Sequence, residues 1–314
     1  MPFMTICTCP KPFDDAHITV IQRNAIASWK KIGENIGLDV EVMLVGRENG
    51  VEEIAQEYGA IFVPDVDRNS KGTPLVSSIF QKTREYCHSP LIAYVNADVI
   101  LLPDFLLTAQ LAANQSDHFL AVGQRWDLNL PLPLDYSNGW DTRLLELCHS
   151  AGKRHPRGGS DYFIFRRDDF RDIPPLVVGR AGWDNWMIYF ARNMGWPAID
   201  CSLSINIIHQ DHDYSHLPGG RPHYRLPESY ENVRIGGGPL RIFTLDDTNY
   251  VIKDGKLAKS PFSWSRFWRE IEIMPLVRWK SERWSNFFFS VFHPLKAYRN
   301  FRRDITHKNK PTGD

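Results

Sequence analysis

The residues best suited to chemistry fall in a few short segments. Asn96-Ala97-Asp98 directly follows an apolar run at 91–95. A carboxylate beside a short amide offers the hard oxygen ligands that magnesium or manganese prefers, and such an ion can bridge a diphosphate. The same residue types are also common in turns. Further on, the stretch from His209 to His216 holds three histidines and two aspartates in eight residues, just after an apolar run at 205–208. Its spacing matches no zinc finger, which favours a contribution to an oxygen-ligated ion over a self-contained zinc site. His209 and His212 lie three apart, so on an extended strand they point to opposite sides, and His209, which ends the strand, is the better placed of the two.

Gly182-Trp183-Asp184-Asn185-Trp186 opens a helix with an acid in its first turn. Asp184 there could simply complement the helix dipole. Flanked by Trp183 and Trp186, it could instead be a general base with a raised pKa beside a flat surface for a sugar ring. Arg68-Asn69-Ser70-Lys71-Gly72-Thr73 precedes a predicted helix start and combines two cations with backbone donors, a setting suited to a phosphate. A second basic loop, Lys153 to Gly159, could equally be a solvated turn. Neither GxxxxGK[ST] nor GxGxxG occurs, so no P-loop or dinucleotide fingerprint is expected.

These segments must be positioned by a scaffold, and the first hundred residues predict one. Strands are expected at 3–8, 40–45, 61–63 and 91–95. Helices are expected from about Ile18 to Ile32, with Gly33 and Gly37 available to end the first, over 51–58, and from an N-cap at Thr73 with Pro74 in the first helical position. The run at 91–95 is apolar throughout, as a parallel strand buried on both faces requires. This alternation implies an open, mostly parallel, doubly wound α/β sheet with ligands at the carboxyl ends of its strands. Later strands are expected at 119–123, 162–165 and 205–208, helices at 140–151 and 183–194, and a long functional loop between His212 and Gly238.

Composition narrows the function classes. With 43% hydrophobic and 24% charged residues the chain is globular, and 37 basic against 37 acidic residues exclude a whole-protein attraction to nucleic acid. The charge is segregated: residues 261–314 hold 11 Lys and Arg against 5 Asp and Glu, leaving 26 against 32 for the rest. Five scattered cysteines without a CxxC pair suggest neither a disulfide framework nor a zinc ribbon. With no signal-like N-terminus and no long apolar run, the expected location is the cytoplasm.

The alternating half that closes on Tyr94-Val95-Asn96-Ala97-Asp98 resembles the nucleotide-sugar-binding half of a GT-A type glycosyltransferase of the family 2 kind, with Asn96 where the family's Asp-x-Asp motif has its first acid. Gly158-Gly159-Ser160-Asp161-Tyr162-Phe163 resembles the family's glycine turn near the donor sugar. The segment at 182–186 falls where such enzymes carry an acidic acceptor-site motif, without the preceding Glu, and the histidine cluster falls where many supply a late metal ligand. The resemblance covers residues 3–250 and implies a metal-dependent glycosyltransferase using a UDP- or GDP-linked sugar. Asp98 would bind Mn2+ or Mg2+ with His209 or His212 as a further ligand. Thr8, Pro10, Arg68, Lys71, Gly72, Asn96, Gly159 and Asp161 would hold the donor, and Trp183 and Trp186 the acceptor. Asp184 would be the base of an inverting reaction or orient the acceptor in a retaining one.

The resemblance gives a catalytic domain at 1–255 and leaves a tail at 256–314. In the tail Trp264, Phe267, Trp268 and Ile271 share one helical face, and Trp284, Phe287, Phe288, Val291 and Phe292 another, with cations between and after them. A basic, tryptophan-rich stretch suits a helix in a membrane interface, although such faces could also pack on the catalytic domain or on a second subunit. The combined expectation is an enzyme of cell-surface polysaccharide synthesis, peripheral on the inner face of a membrane, with a glycan or lipid-linked acceptor. The alternatives are a sugar-nucleotide nucleotidyltransferase, for which the loop after the first strand lacks glycine, and a non-catalytic sugar-nucleotide or glycan-binding protein.

Overall fold

The computed structural model describes residues 1–211 and 226–298. They fall into two compact units, Met1–Arg192 with Trp196–Ser260, and Asn193–Gly195 with the segment from Pro261 onward. The first unit opens with β1 (Met4–Thr8), α1 (Ala16–Lys31), β2 (Val40–Val45), α2 (Val51–Tyr58), β3 (Ile61–Val63), α3 (Val76–Tyr86) and β4 (Leu91–Val95). It continues with β5 (Val99–Leu101), α4 (Asp104–Gln115), β6 (Leu120–Val122), β7 (Arg125–Leu128), α5 (Trp140–Ala151), β8 (Lys153–Arg154), β9 (Tyr162–Arg166) and α6 (Trp183–Met194). Then come β10 (Ala198–Asp200), β11 (Ile207–Gln210), α7 (Pro227–Ile235), β12 (Tyr250–Lys253) and β13 (Lys256–Lys259).

The main sheet has the order β13-β12-β10-β6-β9-β4-β1-β2-β3. It is mostly parallel, as the alternating apolar runs predict, with β9 inserted antiparallel between β4 and β6. The fold is thus α/β with helices interleaved along a large sheet. Of a second sheet, β5-β11-β7-β8, the sequence predicts only β11, expected at 205–208. The strands of this sheet are two to four residues long, too short to show a period.

Helix α1 ties the sheets together. Asp15 caps it by accepting from the Ile18 backbone N–H at 2.9 Å, and fully buried Trp29 donates its indole N–H to the Val99 carbonyl at 2.9 Å. Truncating a buried Trp of this kind costs about 3–5 kcal/mol. The chain leaves α1 through Gly33, where a Cβ would lie 1.9 Å from the Leu38 carbonyl oxygen, so only glycine permits that approach.

Three expectations need correction. Helix α3 starts at Val76 with Leu75 as its cap residue, not at Thr73 and Pro74. The reason is that residues 68–75 form a small extended hairpin: Arg68 bridges Pro74, Leu75 bridges Val177, and the Asn69 N–H donates to the Thr73 carbonyl at 2.9 Å. The expected loop between His212 and Gly238 contains α7. Its buried face is polar, with Glu228, Ser229 and Asn232, so hydrophobic periodicity cannot reveal it. The first unit also runs past residue 255 to Ser260, because β13 pairs antiparallel with β12.

The second unit contains α8 (Trp264–Val277) and α9 (Glu282–Phe292), capped by Ser263 and Ser281. The two helices are joined by Trp268 against Phe292, ring centroids 6.2 Å apart, and by Glu272 of α8, which binds His293 at the end of α9 at 3.0 Å and Arg269 of its own helix at 3.1 Å. Phe262, Trp264, Trp268, Trp279, Trp284 and Phe287 are each more than half exposed. Among the described residues no helix is long and apolar enough to cross a membrane.

Candidate functional site

Asp98 lies in the link between β4 and β5, at the carboxyl end of the fully buried central strand. Strand β11 runs antiparallel to β5, with His209 opposite Val99, and parallel to β7, with His209 opposite Asp127. This register sets His209 between two carboxylates. Its Nε2 is 3.9 Å from Asp98 Oδ2, and its Nδ1 is 3.4 Å from Asp127 Oδ1 and 3.9 Å from Asp211 Oδ1. The strand is pinned by fully buried Gln210, whose side-chain N–H groups donate to the Ile21 carbonyl at 2.8 Å and the Asp98 carbonyl at 3.2 Å. Its amide oxygen accepts from Asn24 at 2.9 Å.

On the near side, the loop after β1 is fastened to α1 by a reciprocal pair. The Lys11 N–H donates to Gln22 Oε1 at 2.7 Å, and Gln22 Nε2 donates to the Lys11 carbonyl at 2.9 Å. Lys11 Nζ thereby stands 4.0 Å from Asp98 Oδ2. Burial lowers its pKa, while the Asp98 charge opposes the shift. Thr8 is fully buried, its hydroxyl making no hydrogen bond among the described residues, and Pro10 beside it is also buried.

A chain of charged side chains runs from this point. Asn96 Nδ2 donates to Asp161 Oδ1 at 2.7 Å, and the Asn96 backbone N–H donates to the Asp161 carbonyl at 2.9 Å. Arg125 donates through Nη1 to Asp161 Oδ2 at 2.8 Å and through Nε to Asp127 Oδ1 at 2.7 Å. His155 Nδ1 lies 2.8 Å from Asp127 Oδ2. Burial opposes ionisation of Asp127, yet His209, His155 and Arg125 together hold it well below the usual carboxylate range. His209 shows the converse: burial disfavours its charge, but Asp127 and Asp98 raise its pKa.

The geometry offers a divalent ion two faces of the imidazole: on one, His209 Nε2 and Asp98 Oδ2 lie 3.9 Å apart, and on the other His209 Nδ1 faces Asp127 and Asp211, the donor atoms of these three residues lying within 4.8 Å of one another. His212, the other histidine named from the sequence, lies outside the described residues.

Asp184 sits at the start of α6, its Oδ1 accepting from the Gly182 N–H at 3.1 Å. Desolvation pushes its carboxyl up to about 6, against hydrogen bonds from the backbone that lower it, and the Asp161 charge adds to the rise. Gly159 passes so close that a Cβ there would be 3.3 Å from Asp184 Oδ2. Asp161 also raises His209 electrostatically, so one carboxylate is felt at both ends of the site. The flanking tryptophans are core residues, which corrects their expected role as an open surface for a sugar. Trp183 and Trp186 are each 4% exposed; Trp183 packs edge-on against Tyr94, and Trp186 stacks on Phe190.

The basic segment at 68–73 also differs from expectation. Arg68 is bound to Glu48 at 2.9 Å and to the Gly72 carbonyl at 2.8 Å, while Asn69 and Thr73 both donate to Glu228 Oε1 at 2.7 Å. Lys71 and Gly72 are exposed at the hairpin tip. Arg68 and Glu48 both act electrostatically on Cys9, just after β1. Arg125 and Asp127 were not singled out from the sequence, and Lys11 and His155 only as members of the loops 10–12 and 153–159. The Arg125-x-Asp127 spacing, which puts both side chains on one face of a strand, was the available signal.

No protein-family model and no curated protein matches the chain. Solved structures are similar in part. A mannosyltransferase from Pyrobaculum calidifontis, in complex with GDP-Man and Mn2+, is 12% identical over 66% of this chain with a TM-score of 0.41, and the chain spans only 56% of its length. Glucosyl-3-phosphoglycerate synthase from Mycobacterium tuberculosis is 14% identical over 83% of this chain and 88% of its own, with a TM-score of 0.44. Its complex with Mn2+, UDP and phosphoglyceric acid gives a TM-score of 0.43 at the same identity and coverage.

Proposed function

We propose that the chain is a divalent-metal-dependent glycosyltransferase that moves a sugar from a UDP- or GDP-linked donor to a hydroxyl of a glycan or lipid-linked acceptor. The observation that carries this reading is the approach of Asp98 Oδ2 and His209 Nε2 to 3.9 Å at the carboxyl end of the central strand, where an open α/β sheet receives its ligands. Asp98 and His209 would hold Mn2+ or Mg2+, which supplies charge neutralisation for a departing diphosphate.

The chain's own residues do the rest. The loop Thr8 to Lys11 borders the nucleotide, and Lys11 adds a cation on the side of Asp98. Asp161 accepts from donor-sugar hydroxyls beside Gly159. Asp184, its carboxyl raised to about 6, takes the proton of the acceptor hydroxyl as that oxygen bonds to the anomeric carbon. The bond from that carbon to the diphosphate oxygen breaks, and its electron pair leaves with the nucleoside diphosphate. A carboxylate raised this far is still mostly ionised at neutral pH and is a better base than an ordinary one. The aromatic, basic second unit would bring the enzyme to an anionic lipid surface and so to a lipid-linked acceptor of cell-surface polysaccharide synthesis.

The test is hydrolysis of UDP- and GDP-sugars, with and without Mn2+. Manganese-dependent release of nucleoside diphosphate, abolished in Asp98→Ala, is the expected result. Metal-dependent binding with no release would make the chain a sugar-nucleotide-binding protein. Release unaffected by chelator would contradict the reading.

A further inference from the structure

Asn96 stands where an Asp-x-Asp motif would carry an acid, and its surroundings give a reason. Its side-chain N–H reaches Asp161 Oδ1 at 2.7 Å, while Arg125 Nη1 takes Asp161 Oδ2 at 2.8 Å. Asp161 is 9% exposed and Arg125 is largely buried, so this carboxylate has one neutral and one cationic donor in a poorly solvated place. A carboxylate at 96 would face Asp161 oxygen to oxygen, with no proton between them. In water such a contact costs little; between buried groups it is strongly unfavourable.

We infer that Asn96 is a positioning residue, a donor that fixes the Asp161 carboxylate toward the donor sugar, rather than a weakened metal ligand. The inference rests on the proposed function for what Asp161 touches, but the pairing itself does not. Arg125 extends the effect, because the same guanidinium holds Asp127 beside His209. The orientation of Asp161 and the position of His209 are therefore set through one side chain. The amide at 96 lets a single cation serve two carboxylates, where an acid would add a third.

The experiment compares wild type with Asn96→Asp, Asp161→Asn and the reciprocal double variant. In the double variant the amide at 161 can donate to the carboxylate at 96 and accept from Arg125, so the contact is rebuilt with its direction reversed. Ligand-free melting should fall by about 3–8 °C in Asn96→Asp and recover most of that loss in the double variant. By calorimetry, Asn96→Asp should bind Mn2+ with GDP or UDP no more tightly than wild type, and its KM for the sugar nucleotide should rise about 10-fold or more, the scale of groups that orient ligands. The double variant should regain stability without regaining that KM, since Asp161 is gone from the sugar.

If Asn96→Asp is too unstable to purify, Asn96→Ala removes the donor without adding charge. It should raise KM with Mn2+ affinity unchanged. Tighter Mn2+ binding in Asn96→Asp, wild-type melting in that variant, or no recovery in the double variant would each overturn the inference. Absence of Mn2+–nucleotide binding by the wild type would instead remove the proposed function, and the melting series would still decide the pairing.

Discussion

Around Asp98, charged and polar side chains are buried and held by one another: Arg125 between two aspartates, His209 between Asp98 and Asp127, Asn96 against Asp161. On α8 and α9 the reverse holds, and Trp264, Trp268, Trp284 and Phe287 stand more than half exposed on a helix pair whose three arginines are matched by three glutamates, the basic excess of 261–314 lying between and after the helices. A buried polar cluster and an exposed aromatic one are both departures from ordinary side-chain placement, and such departures are more informative than the core. The first costs stability unless each group has a partner, so it marks a place where charge is kept for chemistry. The second leaves apolar area in water, so it marks a place where another surface is expected. The proposed function places chemistry and address in different units, and that proposal can be broken one unit at a time.

The largest effect should come from the buried acid at the start of α6. Asp184→Asn keeps the helix start but cannot accept a proton, so turnover should fall by about two to four orders of magnitude with donor affinity nearly unchanged. In the wild type, turnover should rise with pH through about 6 as Asp184 ionises. The stability effect has the opposite sign. A carboxyl whose pKa is raised on folding contributes stability that is present below its unfolded value near 4 and lost as pH rises through about 6. Asp184→Asn should therefore melt above wild type at pH 7.5, with the difference closing toward pH 4. Near-normal turnover in this variant would return Asp184 to a helix-dipole role.

A smaller effect on chemistry, and a large one on location, is expected from the second unit. Full-length protein should float with liposomes containing anionic lipid, less so at high salt, because each cation near such a surface contributes on the order of 1 kcal/mol. Replacing Trp264 and Trp284 with serine should release it while transfer to a small soluble acceptor stays within about twofold. No flotation under any condition would remove the membrane reading and the lipid-linked acceptor with it.

The strands and helices of the first hundred residues were legible because each is apolar on a period the chain keeps for several residues. Asp98 and His209 stood out as candidates as well, since each follows an apolar run. What joins them did not. The strands β5, β7 and β8 are only two to four residues long, so nothing in the sequence announces that Arg125 and Asp127 lie in register with β11. The buried face of α7 is polar, and the hairpin at 68–75 is held by Glu228, 155 residues beyond Thr73 in the chain. Long-range polar contacts leave no periodic trace. The tryptophans at 183 and 186 misled for a related reason: sequence gives their chemistry but not which side of the helix the core occupies.

The claim on which the rest depends is that Asp98 and His209 share one divalent ion. Anomalous scattering from crystals grown with Mn2+ and GDP or UDP tests it directly. A manganese peak is expected between Asp98 Oδ2 and His209 Nε2, with nucleotide phosphate on its open side. A peak held by Asp127 and Asp211 without Asp98, or nucleotide bound with no metal at this strand end, would contradict it.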